Sequence, residues 1–103
     1  MQFLKKQFQN MKVSFEEKFI IALNNQVRYI SKDKPIAARK FKNDLIKNLK
    51  KDLKQLLSFK KSIYYNDKNI KDYIFKGYTC VFEIDIIQDV IVVFGFIKYK
   101  DSL

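Results

Sequence analysis

The stretch IKDYIFKGYTCVFEIDIIQDVIVVFGFIKY, residues 70–99, decides the fold of this chain. It is rich in aromatic and β-branched residues, which favour strands. A Lys-Gly turn signal at 76–77 and a polar Gln-Asp pair at 88–89 divide it into three parts. We therefore predict three antiparallel strands joined by tight turns, with the second strand at 78–87 and the third at 90–99.

The second and third predicted strands differ in how their side chains alternate. One face of the second strand is apolar, and the other is half solvated and carries Thr79, Val81, Glu83 and Asp85. Both faces of the third strand are apolar, one with Val90, Val92, Phe94 and Phe96 and the other with Ile91, Val93, Gly95 and Ile97. Such a strand is expected to be central and covered twice. We expect helices to cover one face, and the chain's own N-terminal part or a bound polypeptide to cover the other.

Two amphipathic helices are predicted upstream of these strands. A capping box formed by Ser14 and Glu17 precedes a first helix at 15–32. Pro35 suits the first position of a second helix, whose apolar stripe runs for about five turns through Ala38, Phe41, Leu45, Leu49, Leu53 and Leu56. We expect the two helices to form an antiparallel hairpin.

The remaining segments complete the organisation of the chain. Residues 12–14 suggest a short strand, and residues 58–69 a connection without periodicity. We interpret residues 1–10 as an N-terminal extension that is frayed, weakly helical or not native. Residues 11–103 are then expected to form a single domain.

The composition excludes several kinds of site. The chain has 103 residues, one Cys and no His. An internal disulfide needs two cysteines, and a structural zinc site needs four Cys or His ligands, so neither can form. A nucleophile assisted by an imidazole is excluded too, so any general acid or base must be a carboxylate, Tyr or Lys. We expect no metal and no cofactor, and we expect Cys80 to be an inert buried thiol.

The charge balance indicates the class of partner. Lys and Arg number 21 against 11 Asp and Glu, a net charge of +10. This excess indicates a polyanion, an acidic protein or an anionic membrane surface. The longest uncharged apolar run, at 90–97, is far shorter than the roughly 20 residues of a membrane-spanning helix. We expect a cytoplasmic protein without a membrane partner.

The predicted order of elements is a short strand, a two-helix hairpin and a three-strand meander. With its basic second helix and the run KDYIFKGYTCVFEI at 71–84, the chain resembles the RelE/ParE toxins of bacterial type II toxin–antitoxin modules. The resemblance covers about residues 12–101, and it includes the Gly-Tyr pair at 77–78 that opens the penultimate strand. It implies a small α+β domain in which the helical hairpin packs on a twisted antiparallel sheet.

The resemblance also implies a target and a set of site residues. RelE-like toxins cut mRNA on the ribosome, ParE-like toxins bind DNA gyrase, and a cognate antitoxin neutralises both. The RNA-cutting branch uses basic residues on the middle strands, which Lys71 and Lys76 match. It also uses an Arg, His or Tyr near the C-terminus, which Tyr99 matches between Lys98 and Lys100.

RNA cleavage by the 2′-hydroxyl needs a proton acceptor, cations at the phosphorane and a proton donor for the 5′ oxygen. We predict a catalytic set of Tyr99, Lys71, Lys76 and Glu83, with the lysines at the phosphate, Glu83 as base and Tyr99 acting through its ring or its hydroxyl. Asp85 is a second candidate base. The structural alternatives are solvated lysines, rim carboxylates beside lysines and a tyrosine packed at the rim.

A wider basic surface is predicted to bind nucleic acid or an acidic antitoxin. Its residues are Lys98, Lys100, Arg39, Lys47, Lys50, Lys51 and Lys54. The alternative is that the lysines reflect only the composition of an AT-rich genome. The aromatic residues of the connection and the strand after it are expected to serve in packing rather than in base stacking, and they are Phe59, Tyr64, Tyr65 and Tyr73.

Three functions remain open at this point. The first is a growth-inhibiting, metal-independent endoribonuclease that cleaves mRNA at the ribosome and is neutralised by an acidic antitoxin. The second is a non-enzymatic inhibitor of DNA gyrase. It is favoured by Thr79, which stands where many relatives carry Arg, and by a C-terminal stretch without Arg or His. The third is a basic nucleic-acid-binding adaptor without toxicity.

Overall fold

The computed structural model describes residues 11–55 and 59–98. The elements in chain order are β1 (Lys12–Phe15), α1 (Glu17–Ser31), α2 (Pro35–Asp52), β2 (Ile70–Phe75), β3 (Tyr78–Asp85) and β4 (Val90–Lys98). The four strands form one sheet in the order β1-β4-β3-β2. The α+β class, the two helices and the final three-strand meander are therefore confirmed. No helix in the described ranges is long and apolar enough to cross a bilayer.

The sheet is mixed, not antiparallel throughout. β2, β3 and β4 pair antiparallel as predicted, but β1 runs parallel to β4 over the pairs from Lys12↔Val90 to Phe15↔Val93. The antiparallel prediction was wrong at this edge. Parallel neighbours need a long crossover, and here both helices and two strands supply it. The short β1 segment carries no local signal for the direction of a partner so far along the chain.

The first helix begins later than predicted. Ser14 lies in β1, and Glu16 is the N-cap residue, with extended backbone and no side-chain capping hydrogen bond. The predicted capping box is therefore wrong. Ser14 is instead the register partner of Val92, and the Glu16 N–H donates to the Val93 carbonyl oxygen at 2.9 Å. The residues that the local pattern assigned to the start of the helix therefore pair with β4 in the sheet.

The core lies between the helical hairpin and one face of the sheet. α1 contributes Phe19 and Leu23, both fully buried, and packs against β4. The α2 stripe is buried as predicted at Ala38, Phe41, Leu45, Leu49 and Leu53, while Leu56 lies outside the described residues. Pro35 begins α2, also as predicted. Helical periodicity therefore located the buried face of α2.

A β-bulge changes the faces of β4. Val81 pairs with Gly95 but its neighbour Phe82 pairs with Val93, so Phe94 is the extra residue. After the bulge the faces exchange, and Phe96 becomes the partner of the buried Cys80. The prediction that Phe96 shares a face with Val90 and Val92 was therefore wrong.

The second face of β3 is less solvated than expected. Thr79 and Val81 are buried there, whereas Glu83 is exposed. The connection after α2 returns over this side: the Ile63 N–H donates to Asp72 Oδ2 at 3.2 Å, and the Tyr65 ring meets Phe94 with 5.4 Å between centroids. The connection after α2 thus covers part of the second face of the sheet.

β3 ends at Asp85, so that Ile86 and Ile87 lie in the turn rather than in the predicted strand.

Gly95 is required by its close approach to Val81. A Cβ at position 95 would lie 3.0 Å from Val81 Cβ and 3.1 Å from Val81 Cγ2. We expect Gly95→Ala to lower the free energy of unfolding by about 1–3 kcal/mol through overpacking. Urea denaturation measures this loss in the free energy of unfolding. The Gly95→Ala/Val81→Ala double variant should lose less than the sum of the single losses, and strict additivity would contradict this account.

Cys80 is buried, as predicted. Burial raises the pKa of its thiol from 9.0 to about 12. Because the thiolate is the reactive form, we expect Cys80 to react with a disulfide reagent at pH 8 at least about 100-fold more slowly in the native protein than in urea. Equal rates in the two conditions would contradict this expectation. The absorbance of the released thiol product measures the reaction rate of the native and of the unfolded chain at the same pH.

Candidate nucleic-acid interface

The turn between β2 and β3 presents a lysine at one end of the sheet. Phe75 and Tyr78 are the last register pair, and the two residues between them have positive φ, 50° at Lys76 and 83° at Gly77. Positive φ at both central residues is typical of the type I′ turn, which matches the twist of the flanking strands. Lys76 is exposed, and its Nζ lies 5.3 Å from the Phe75 ring centroid.

The end of β4 brings a second lysine to the same place. Lys98 is the register partner of Tyr78. Its Nζ lies 5.6 Å from the ring centroid of Tyr29, in the last turns of α1. Tyr29 is a large aromatic residue that remains 63% exposed. Lysines that are 22 positions apart in the sequence thus lie at one end of the sheet.

Tyr78 connects this end of the sheet to both helices. Its hydroxyl oxygen accepts a hydrogen bond of 2.9 Å from Gln26 Nε2 of α1. Its ring stacks on Phe96 with 5.1 Å between centroids and lies 5.0 Å from the Phe41 ring of α2. We call Gln26, Tyr29, Lys76, Tyr78 and Lys98 the turn corner. Two cations, an exposed ring and a fixed phenol can together bind a phosphate and its attached base.

Sequence reasoning missed three members of the turn corner. Tyr78 carried a signal, because it belongs to the Gly-Tyr pair that opens β3. Gln26 and Tyr29 carried none, because they are about 50 and 70 residues from their partners Tyr78 and Lys98. Tyr99 and Lys100 follow Lys98 in the chain and lie outside the described residues.

Lys71 lies away from the turn corner and has a structural contact. Its register partner is Phe82, four residues along β3 from Tyr78, which is about 13 Å. Lys71 is half-buried, and its Nζ donates to the Phe59 carbonyl oxygen at 2.9 Å. The ammonium therefore holds the connection against the sheet edge.

Glu83 lies on the opposite face of the sheet from Lys71. It is exposed and pairs with Ile70 and Val92, while its neighbours Phe82 and Ile84 point into the core. Along β3 it is about 17 Å from Tyr78. Asp85, the second candidate base, accepts a hydrogen bond of 3.0 Å from the Gln88 N–H in the next turn. The structure thus places Lys76 and Lys98 at the same end of the sheet, and Lys71 and Glu83 farther along the strands.

The outer face of α2 carries the rest of the predicted basic surface. Its exposed residues are Arg39, Lys47, Lys50 and Lys51, and the exposed Lys54 follows two residues after the helix ends. From Arg39 to Lys51 this face extends over about 18 Å. Among its neighbours, Lys40 pairs with Asp44 at 3.1 Å and Lys42 donates to Asn24 Oδ1 at 2.7 Å. Phosphate contacts along such a face give salt-dependent affinity without sequence preference.

A groove beside β1 adds one more lysine to this basic surface. The groove has a volume of about 320 Å³ and is lined by Met11, Lys12, Val13, Lys50 and Lys54. Lys12 comes from the edge strand, Lys50 from the last turn of α2, and Lys54 from the turn that follows α2. No pattern in the sequence groups these three lysines, because the packing of α2 beside the sheet edge brings them together.

Tyr73 has a packing role, as expected for the aromatic residues of this region. It is buried, and its hydroxyl donates a 2.6 Å hydrogen bond to Asp52 Oδ2 at the end of α2. Burial, and then the Asp52 carboxylate, raise the pKa of Tyr73 well above its usual value. The Phe59 ring packs edge-on against Tyr73, with 5.7 Å between centroids. These groups anchor β2 to the hairpin.

No protein-family model matches the chain. No curated protein matches it either.

Proposed function

We propose that this chain is the toxin component of a type II toxin–antitoxin system, similar to the RelE/ParE toxins, and that it is a metal-independent endoribonuclease which cleaves mRNA at the ribosome. The observation that carries the proposal is the turn corner, where Lys76 and Lys98 lie with two tyrosines at one end of the sheet. The element order β-α-α-β-β-β and the net charge of +10 support it.

The chemistry proposed for the turn corner is attack of the ribose 2′ oxygen on the adjacent phosphorus. The bond from phosphorus to the 5′ oxygen breaks, and the products are a 2′,3′-cyclic phosphate and a 5′-hydroxyl. Lys76 and Lys98 stabilise the negative charge that develops on the phosphorane. The proton transfers fall to the Tyr99 hydroxyl, which the family resemblance assigns to this end of the chain, and Lys100 adds a further charge at the phosphate. Lys71 and Glu83 are left out of the proposed set because their contacts and faces separate them from it.

The second candidate function is ParE-like inhibition of DNA gyrase without cleavage. The separation of Lys71 and Glu83 from the turn corner favours it, since two of the four predicted catalytic residues are then absent from the site. In this function the basic surfaces bind a protein or a DNA complex, and no proton transfer is needed.

One pair of assays separates the candidates. The purified chain is incubated with ribosomes translating a defined mRNA, and in parallel with gyrase and relaxed plasmid. We expect cleaved transcripts and unaffected supercoiling. Intact mRNA with inhibited gyrase selects the second function, and activity in neither assay with harmless expression in bacteria selects a non-toxic adaptor.

The proposed partner is a cognate antitoxin with an acidic, partly apolar segment. The basic face of α2 and the lysine groove beside β1 offer charge complementarity to it. A partner that binds only the native state raises the melting temperature as its concentration exceeds the dissociation constant. The candidate is the product of any small acidic reading frame found beside the gene, and an unchanged melting temperature in its presence would exclude that product as the antitoxin.

A further inference from the structure

Tyr29 is an exposed aromatic residue on α1. A ring of this size buries a large apolar area when it packs in a core, yet the Tyr29 side chain remains 63% exposed on α1. It lies one turn after Gln26, whose side chain is fixed by its hydrogen bond to the Tyr78 hydroxyl at 2.9 Å. The backbone beneath Tyr29 is thus held against the sheet while the ring faces solvent.

The cation beside Tyr29 matches the chemistry of one nucleotide. Lys98 Nζ lies 5.6 Å from the ring centroid, within the range of a cation–π contact. A nucleotide joins a flat base to a phosphate through one ribose. Because the ammonium lies over one face of the ring, the opposite face is the stacking surface for the base, and the ammonium supplies a charge for the phosphate of the same nucleotide.

We propose that Tyr29 is a stacking platform for one base of single-stranded RNA, and that Lys98 holds the phosphate of that nucleotide. The inference rests on the proposed RNA-cutting function and names the contact that positions the substrate. Stacking is tolerant of base identity, because every base has a π face. Tyr29 therefore positions the RNA without selecting its sequence.

Tyr65 provides a matched comparison on another surface. Its side chain is 43% exposed, and it lies in the connection, where its ring packs edge-on against Phe94 at 5.4 Å. A ring packed in this way is expected to contribute to covering the second face of the sheet. Substitution at Tyr65 thus controls for the loss of an exposed aromatic ring.

The experiment uses the full chain, which contains no Trp. In Tyr29→Trp the new indole is the sole tryptophan, and in Tyr65→Trp the same reporter lies on the other face. A single-stranded RNA oligonucleotide is titrated into each, and the same ribose-phosphate backbone without bases is the control ligand. We expect quenching of tryptophan emission by RNA for Tyr29→Trp, none for Tyr65→Trp, and none with the backbone lacking bases.

Affinity measurements complete the test. We expect Tyr29→Ala to weaken RNA binding by about 5- to 100-fold and Tyr29→Phe to bind like the unaltered chain, because Phe keeps the π face. Normal RNA affinity in Tyr29→Ala, or an unquenched indole in a Tyr29→Trp variant that binds RNA, would overturn the inference and leave the proposed function standing. Failure of the unaltered chain to bind RNA would overturn both.

Discussion

Removal of both lysine charges from the turn corner is expected to lower the rate of mRNA cleavage by about 10²–10³-fold, the usual cost of losing a group that stabilises transition-state charge. The variant is Lys76→Asn/Lys98→Gln. Asn suits position 76 because it tolerates the positive φ of 50° found there, and Gln keeps most of the length of Lys98. The fold should therefore be unchanged, which thermal denaturation checks. Cleavage is measured as single-turnover loss of a defined mRNA on ribosomes.

The control for this prediction carries the same loss of charge elsewhere. Lys60→Gln/Lys68→Gln removes two exposed lysines of the connection. We expect its cleavage rate to stay within a few-fold of the unaltered chain, since a distant surface charge acts only through a screened field. Equal losses in the two double variants would indicate a general effect of net charge and would remove the turn corner from the mechanism.

Truncation of Phe82 is expected to have the largest effect on stability. Phe82 is fully buried on β3, pairs with Val93 beside the bulge and meets the Phe59 ring edge-on at 5.7 Å. We expect Phe82→Ala to lower the free energy of unfolding by about 3–5 kcal/mol, through lost burial and the cavity left behind. In a domain of about 100 residues this lowers the melting temperature by about 15 °C or more.

Ile74 provides the control for Phe82. It lies on β2 with 73% of its side chain exposed, on the face opposite the core. Ile74→Ala should change the free energy of unfolding by less than about 0.5 kcal/mol. Similar losses in the two variants, measured in the same denaturant, would contradict the assignment of the buried and exposed faces of β2 and β3.

The helices were predictable because their signal is local. The α2 stripe repeats every three or four residues and is buried from Ala38 to Leu53, as the period requires. The meander was predictable for the same reason, because the turn at 76–77 fixes the register of β2 against β3. That register also places Lys71 and Glu83 on opposite faces, so their separation follows from the turn once its length is known.

Features that depend on distant residues were not predictable from local pattern. The parallel pairing of β1 joins Lys12 to Val90 across the whole domain. The bulge at Phe94 arises where Gly95 lets β4 approach Val81, and a lone Gly in a strand does not specify which face its neighbours take. The turn corner likewise needs α1 beside the end of β4, which no motif within either element encodes.

The central claim is that the turn corner is where this protein contacts RNA, and a map of amide chemical shifts tests it most directly. A single-stranded RNA oligonucleotide is titrated into the isotope-labelled chain at constant salt. We predict that the largest shifts fall at residues 76–78, at Lys98 and at Tyr29. Shifts confined to the groove of Lys12, Lys50 and Lys54, or no shifts at saturating RNA, would contradict the claim.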